Sequence, residues 1–292
     1  MQLRLLNVAV DGGDLRVLLW GTGKRVVVAV HGITASGMSW QAVARHMPPD
    51  WTLAAPDLRG RGHSRDLPGP YGLDRHARDV VAVLRHFGGS RVRPVLAGHS
   101  MGAYVALLAR DAHPELVRRL VLVDGGLPLP VPEGTDLDAA LDASLGPAIA
   151  RLGQAFPSTD AYLDFWRAHP ALAAHWTPDI EAYVRYDLMG EPGELRCRVV
   201  GDAVRADGRD VLADKPFADA LQRLIRPTPL LTAPAGMFGA PPPVLSHELV
   251  ATWTERVPAL RPQVVPGVNH YTIMFDREGA AAVSQAIRAA AL

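Results

Sequence analysis

Short runs of consecutive apolar residues alternate along the chain with longer stretches in which apolar positions recur every three or four residues. The runs "RVVVAVHG" (25–32), "WTLAAPDLRG" (51–60), "RPVLAGHS" (93–100) and "RRLVLVDGG" (118–126) are aliphatic or β-branched and end in turn residues. Each predicts a strand buried on both faces, as in a parallel sheet. The stretches between them predict helices. "SGMSWQAVARHM" (36–47) offers Ser36 as a cap, "LDRHARDVVAVLRHFG" (73–88) ends at Gly88, and "MGAYVALLARDAHPE" (101–115) stops before Pro114. Strands alternating with helices predict an α/β fold with right-handed crossovers.

This rhythm breaks after a Pro-rich exit, "LPLPVPEG" (127–134). Helical patterns follow at "LDAALDASLGPAIARLGQAF" (137–156) and "DIEAYVRYDLM" (179–189), and strand character returns at "TPLLTAP" (228–234) and "LRPQVVPG" (260–267). A final helix is expected over "REGAAAVSQAIRAAAL" (277–292). The expected organisation is a core of residues 1–127 and 225–292 with a mostly helical insertion, a cap, at 128–224. The insertion carries Tyr162, Phe165, Trp166, Trp176, Tyr183 and Tyr186, which either fill a small core or line a pocket. Trp166, Tyr183 and, beyond the insertion, Phe238 are the candidate pocket residues.

Composition narrows the function classes. The chain has 292 residues, 48% of them hydrophobic, enough for one large domain with an insertion. Thirty basic residues balance thirty acidic ones, and no Lys/Arg-rich run occurs, so nothing in the sequence points to nucleic acid or an anionic membrane. No run approaches the ~20 apolar residues of a membrane span. The amino-terminal stretch lacks an uninterrupted apolar core of signal length. The single cysteine, Cys197, forms no internal disulfide, which fits a cytoplasmic setting. Its neighbours Arg196 and Arg198 are the one reason to expect a lowered thiol pKa, against the plainer expectation of an unreactive thiol.

The chemistry centres on "VLAGHSMGAYVALLA" (95–109), a G-x-S-x-G at Gly98, Ser100 and Gly102. Alone the pattern is weak, but here it follows an expected strand and opens an expected helix. Such a turn holds the serine hydroxyl above the sheet, at the positive end of the following helix. The serine then needs a general base, and the base an orienting carboxylate. It also needs oxyanion donors, for which the backbone N–H groups of Met101 and of Ile33, in the loop "HGITASG" (31–37), are the candidates. Of eleven histidines only His247 and His270 lie beyond the insertion. His247 falls in an expected helix and His270 on a loop after an expected strand, so His270 is the candidate base. His31, His63 and His99 read as structural. No pair of residues has metal-ligand spacing.

At this point the sequence resembles the α/β-hydrolase-fold superfamily. "HGITASGMSW" resembles the family's oxyanion loop, "PDLRGRGHS" (56–64) the turn after its fourth strand, "GHSMG" its nucleophile elbow, and "VPGVNHYTIM" (265–274) its histidine loop. The resemblance implies the order Ser, acid, His. Family members usually carry the acid just after the strand that follows the insertion, but no Asp or Glu occurs between Asp219 and Glu248, and Gly236 or a neighbour stands where the acid is expected. A minority place it at the end of the sixth strand, where this chain has Asp124. A serine hydrolase of carboxylic esters or lactones is therefore expected, with Ser100, His270 and Asp124 as its triad, a small apolar substrate and no cofactor or metal. A thioesterase, an amidase, a carbon–carbon bond hydrolase or a cofactor-free perhydrolase would use the same three residues. From a different class, the fold could hold a small ligand without turning it over.

Overall fold

The computed structural model describes residues 2–88, 93–132, 134–213 and 215–292, with the side chains of all but 146, 147, 215 and 216. Within the Pro-rich exit, residue 133 lies outside the described residues. The chain opens with a hairpin, β1 (Leu3–Val10) and β2 (Gly13–Trp20). There follow β3 (Arg25–Val30), a 3-10 turn (Gly37–Trp40), α1 (Gln41–Arg45) and β4 (Trp51–Pro56). Next come α2 (Leu73–Phe87), β5 (Val95–His99), α3 (Met101–Ala112) and β6 (Arg119–Val123). The stretch between the two expected core segments holds α4 (Leu137–Ala150), α5 (Thr159–Arg167), α6 (Pro178–Tyr186), the two-stranded ribbon β7 (Leu188–Met189) and β8 (Arg196–Cys197), α7 (Gly201–Leu212) and α8 (Lys215–Gln222). The chain closes with β9 (Thr228–Thr232), α9 (His247–Arg256), β10 (Leu260–Val264), α10 (Thr272–Phe275) and α11 (Arg277–Ala290).

Eight strands form one sheet in the order β1-β2-β4-β3-β5-β6-β9-β10. The hairpin and the β2–β4 pairing are antiparallel, and every other neighbour is parallel. The central strands bury both faces: Val27 to Val30, Leu53 to Ala55, Leu96, Ala97 and Val121 to Val123 are all fully covered. Fully apolar strands must be covered by helices on both sides, and two separate groups supply the cover, α1 with α11 and α2 with α3 and α8.

Three sequence expectations are refined. Ser36 does not cap the helix after it; the segment splits into the 3-10 turn and a five-residue helix, and its hydroxyl has no partner among the described residues. The helix expected to reach residue 156 stops at Ala150, and Arg151–Gly153 tighten into a 3-10 turn that carries the Arg151 side chain into the interior. The helix expected to reach residue 189 stops at Tyr186, because Leu188 and Met189 pair with Arg196 and Cys197. Cys197 itself is buried, and burial pushes its thiol pKa up despite the adjacent arginines.

Candidate active site

Ser100 stands between β5 and α3 with φ 54° and ψ −126°, a left-handed backbone that L side chains rarely adopt. The glycines around it are there for close approach. A Cβ on Gly98 would fall 2.1 Å from the Gly102 carbonyl oxygen, and one on Gly102 would fall 2.2 Å from that of Val30. Asp124, directly after β6, has φ 45°, and these two are the positive-φ non-glycine residues among the described residues. The turns touch: the Ser100 N–H donates to the Val123 carbonyl at 2.9 Å, and a Cβ on Gly125 would fall 2.3 Å from the Ser100 carbonyl oxygen. Left-handed strain of about 1–3 kcal/mol per residue persists only where the surroundings over-determine it.

The His270 loop closes on these turns from the far end of the chain. Asn269 shapes it: its Oδ1 accepts from the N–H groups of Tyr271 and Thr272, each at 2.9 Å, and its own N–H donates to Thr272 Oγ1 at 2.8 Å. The His270 Nδ1–H donates to Asp124 Oδ2 at 2.7 Å, and Nε2 faces Ser100 Oγ at 3.0 Å. Asp124 is fully buried, and its other oxygen accepts from the Ala233 N–H at 3.1 Å. Beneath, His99 Nε2 donates to the His270 carbonyl at 2.9 Å, while burial and the neighbouring His270 hold its own pKa well below the ordinary imidazole value. The result is a hydroxyl, a base that can accept its proton, and a carboxylate that holds the base in the required tautomer.

The expected oxyanion loop lies beside Ser100. His31 Nε2 accepts from the Leu58 N–H at 2.9 Å, so the ring proton sits on Nδ1 and donates to the Gly32 carbonyl at 2.8 Å. Burial drives the His31 pKa down to about 3, which keeps it neutral. The Gly32 carbonyl also accepts from the Ala35 N–H at 3.2 Å. With that carbonyl fixed, the N–H on the same peptide, Ile33's, is fixed too. Among the described residues neither the Ile33 nor the Met101 amide donates within the chain. Two buried arginines hold the following peptides. Arg61 Nε donates to the Ile33 carbonyl at 3.0 Å and pairs with Asp207 on α7 at 2.5 Å. Arg151 Nη2 donates to the Thr34 carbonyl at 3.3 Å, and the same guanidinium binds Asp187 and the Tyr162 hydroxyl and lies 4.8 Å over the Trp166 ring.

Two cavities meet at Ser100 and His270. The larger, about 470 Å³, is walled by Leu141 and Leu145 of α4, Val211 of α7, Met237, Phe238 and Val244. The smaller, about 30 Å³, has room for a water-sized group and is bordered by Tyr183, Tyr271 and Phe275. Both touch Ile33, and the larger touches Met101. Among the described residues no Lys or Arg lines either, and no cluster of three His, Cys, Asp or Glu side chains forms a metal site.

The structure therefore brings Ser100, His270, Asp124, Ile33 and Met101 to one place, with Tyr183 and Phe238 on the cavity walls. Trp166 departs from the sequence expectation. It is 2% exposed and borders neither cavity, packed among Tyr162, Phe165, His169 and Tyr183. Gly236 does line the larger cavity, but a Cβ there would fall 2.4 Å from the Pro242 carbonyl oxygen, so the usual acid position is closed by its own loop. Sequence reasoning missed Asn269, Arg61 and Arg151. Asn269 had a readable signal, an Asn three residues before a Thr at a helix start; the two arginines had none.

Comparison with known proteins agrees with this architecture. A profile described as alpha/beta hydrolase fold matches residues 25–148. Lipase LipV of Mycobacterium tuberculosis is 34% identical over 191 residues, covering 56% of this chain and 70% of that protein. N-formylmaleamate deformylase of Pseudomonas putida is 34% identical over 119 residues, 40% of this chain and 44% of that one. Among solved structures, E-2-(acetamidomethylene)succinate hydrolase superposes with a TM-score of 0.79 at 23% identity, over 98% of this chain and all of the other. No described helix is long and apolar enough to cross a membrane. The chain belongs to the α/β-hydrolase fold family, a family of hydrolases.

Proposed function

We propose that the protein is a serine hydrolase that cleaves a carboxylic ester or lactone of a largely apolar small molecule. The observation that carries this reading is the Asp124–His270–Ser100 hydrogen-bonded line, at 2.7 and 3.0 Å, opening into an apolar cavity of about 470 Å³. Ser100 Oγ attacks the acyl carbon as His270 Nε2 takes its proton. The carbonyl oxygen becomes an anion between the Ile33 and Met101 amides, whose donors are fixed before substrate arrives. Collapse expels the alcohol, which leaves with the proton from His270, and water reverses the sequence to free the acid. Asp124 stays ionised and stabilises the imidazolium at each stage.

One observation chooses between ester cleavage and the chemistry named for two similar proteins. N-formylmaleamate and 2-(acetamidomethylene)succinate, the compounds in those names, are carboxylates. A cation at the cavity wall strengthens binding of such an anion, and the described walls here hold no Lys or Arg. An apolar ester or lactone fits the lining better. A fluorophosphonate probe followed by a panel of esters, lactones, thioesters and amides tests the proposal. Labelling at Ser100 and turnover of apolar esters or lactones are expected. Absence of labelling in folded protein would leave a binding function, and preference for anionic amides would overturn the substrate class.

A further inference from the structure

The parallel strands have a second end. Opposite Ser100, the starts of β5, β6 and β9 surround another hollow, of about 490 Å³. Arg93, Arg110, Arg118, Arg119 and Arg226 line it, against a single carboxylate, Glu115. The five arginines come from four separate parts of the chain, so no basic run betrays them, and the chain as a whole is neutral by formal count.

Several arginines of the described residues, Arg4, Arg16 and Arg261 among them, reach no carboxylate, and what sets these five apart is that they share one hollow. Arg25, Arg45, Arg75, Arg78, Arg185, Arg209 and Arg223 each reach a carboxylate. Among the described residues none of the five does. Arg110, Arg118 and Arg119 donate only to backbone carbonyls, of Arg223, Ala291 and Arg118. Glu115 is taken by His113 at 3.0 Å. Burial holds the Arg110 pKa below its ordinary value, with the Asp111 carboxylate opposing the fall and the charges of Arg226 and Arg223 adding to it. Beside them Ile225 is 84% exposed, an apolar edge next to a charged hollow.

Like charges gathered around a concavity destabilise the fold unless an anion shares it. Guanidinium forks match the oxygens of a phosphate group in plane and charge. The volume lies in the range of about 300–1,000 Å³ typical of small-ligand sites. We infer that this hollow binds a small phosphate or pyrophosphate ester, its anionic group on the arginines and its organic part against Ile225. The site lies apart from Ser100, since the five residues of β6 alone span about 16 Å. Its concave shape selects a free small molecule over a flat lipid surface, which presents the same oxyanions.

Titration calorimetry of the full chain with inorganic pyrophosphate at low salt tests the inference. One saturable site is expected, weakening as salt screens the charges. Arg110→Gln combined with Arg226→Gln should weaken it at least about tenfold, while ester turnover stays at the wild-type level and Ser100→Ala binds as before. Absence of saturable binding, equal binding by the double variant, or loss of binding after fluorophosphonate labelling of Ser100 would each overturn it. Sedimentation with phosphatidylserine vesicles separates the sources: retention on vesicles without pyrophosphate binding would assign the patch to a membrane instead.

Discussion

Around Ser100 the backbone leaves no space for a side chain, whereas the helices between residues 128 and 224 meet the core through charges. At the elbow, added Cβ atoms would come within 2.1 to 2.3 Å of carbonyl oxygens at Gly98, Gly102 and Gly125. Where that stretch meets the rest of the chain, Arg61 meets Asp207, Tyr186 donates to Asp57 at 2.6 Å, and Arg151, paired with Asp187 of its own stretch, reaches the Thr34 carbonyl. Exclusion of volume fixes a geometry that tolerates no substitution. A buried ion pair fixes one that depends on both partners being present and dry. The elbow should therefore lose rate when its chemistry changes, and the junction should lose stability.

The sharpest test of that contrast is Asp124→Asn. The amide keeps the shape of the turn but cannot stabilise the imidazolium, and in serine proteases the same change costs about 10⁴ in kcat. We expect a fall of that order with KM and thermal stability little changed, measured on a turned-over ester and by thermal unfolding. A near-wild-type rate would remove Asp124 from the mechanism. Next is Arg151→Met, which leaves the Asp187 carboxylate buried without its cation. A loss of about 3–5 kcal/mol in denaturant unfolding is expected, with a smaller fall in kcat as the Thr34 peptide loosens. A large fall in rate at unchanged stability would instead put Arg151 in the chemistry.

A third test uses acid. The His31 pKa falls from 6.5 to about 3 in the fold. An unfolded chain takes up a proton there below about pH 6.5, and the folded chain refuses it until about pH 3. The contribution of His31 is thus whole above pH 6.5 and shrinks as pH falls. His99 acts with the same sign, and Asp57, raised from 3.8 to about 6 by burial, with the opposite one. Comparison with His31→Gln isolates the histidine: between pH 6.5 and 5 the wild type should lose about 2 kcal/mol more than the variant. Parallel pH profiles would contradict the assignment. The smallest effect is expected at Phe238→Ala. Phe238 is 45% exposed on the cavity wall, so stability should move by less than about 0.5 kcal/mol. The ratio of rates for bulky and short esters should shift several-fold, and an unchanged ratio would place the substrate elsewhere.

What could be read from the sequence follows the same physical division. Strands β3 to β6 were legible because burial on both faces makes them unbroken apolar runs. The first hairpin was not, since β1 is an edge strand with Val8 its one buried residue. Helix α7 was hidden by its polar content: Asp207 points inward to a cation, and Gly208 is small because a Cβ there would meet Leu141 at 2.5 Å. Ser100, His270 and the oxyanion loop announce themselves through turn chemistry, which is local. Arg61 and Arg151 do not, because their partners are distant in the chain and a buried arginine looks like any other in a sequence. Trp166 shows the limit for aromatics, since ring content cannot distinguish a pocket wall from a core.

Placing the acid on β6 has a consequence for how the chain assembles. Ser100 and Asp124 belong to one strand–helix–strand unit, and their turns are joined by the Ser100 N–H bond to Val123. Two of the three proposed catalytic groups are therefore in register once that local unit has paired, and only His270 waits for a long loop to close. The entropy of closing such a loop grows slowly, by about 0.6 kcal/mol for each doubling of its length. Residues can be added to or removed from the intervening helices at small cost to that closure, and the serine–carboxylate geometry does not register the change.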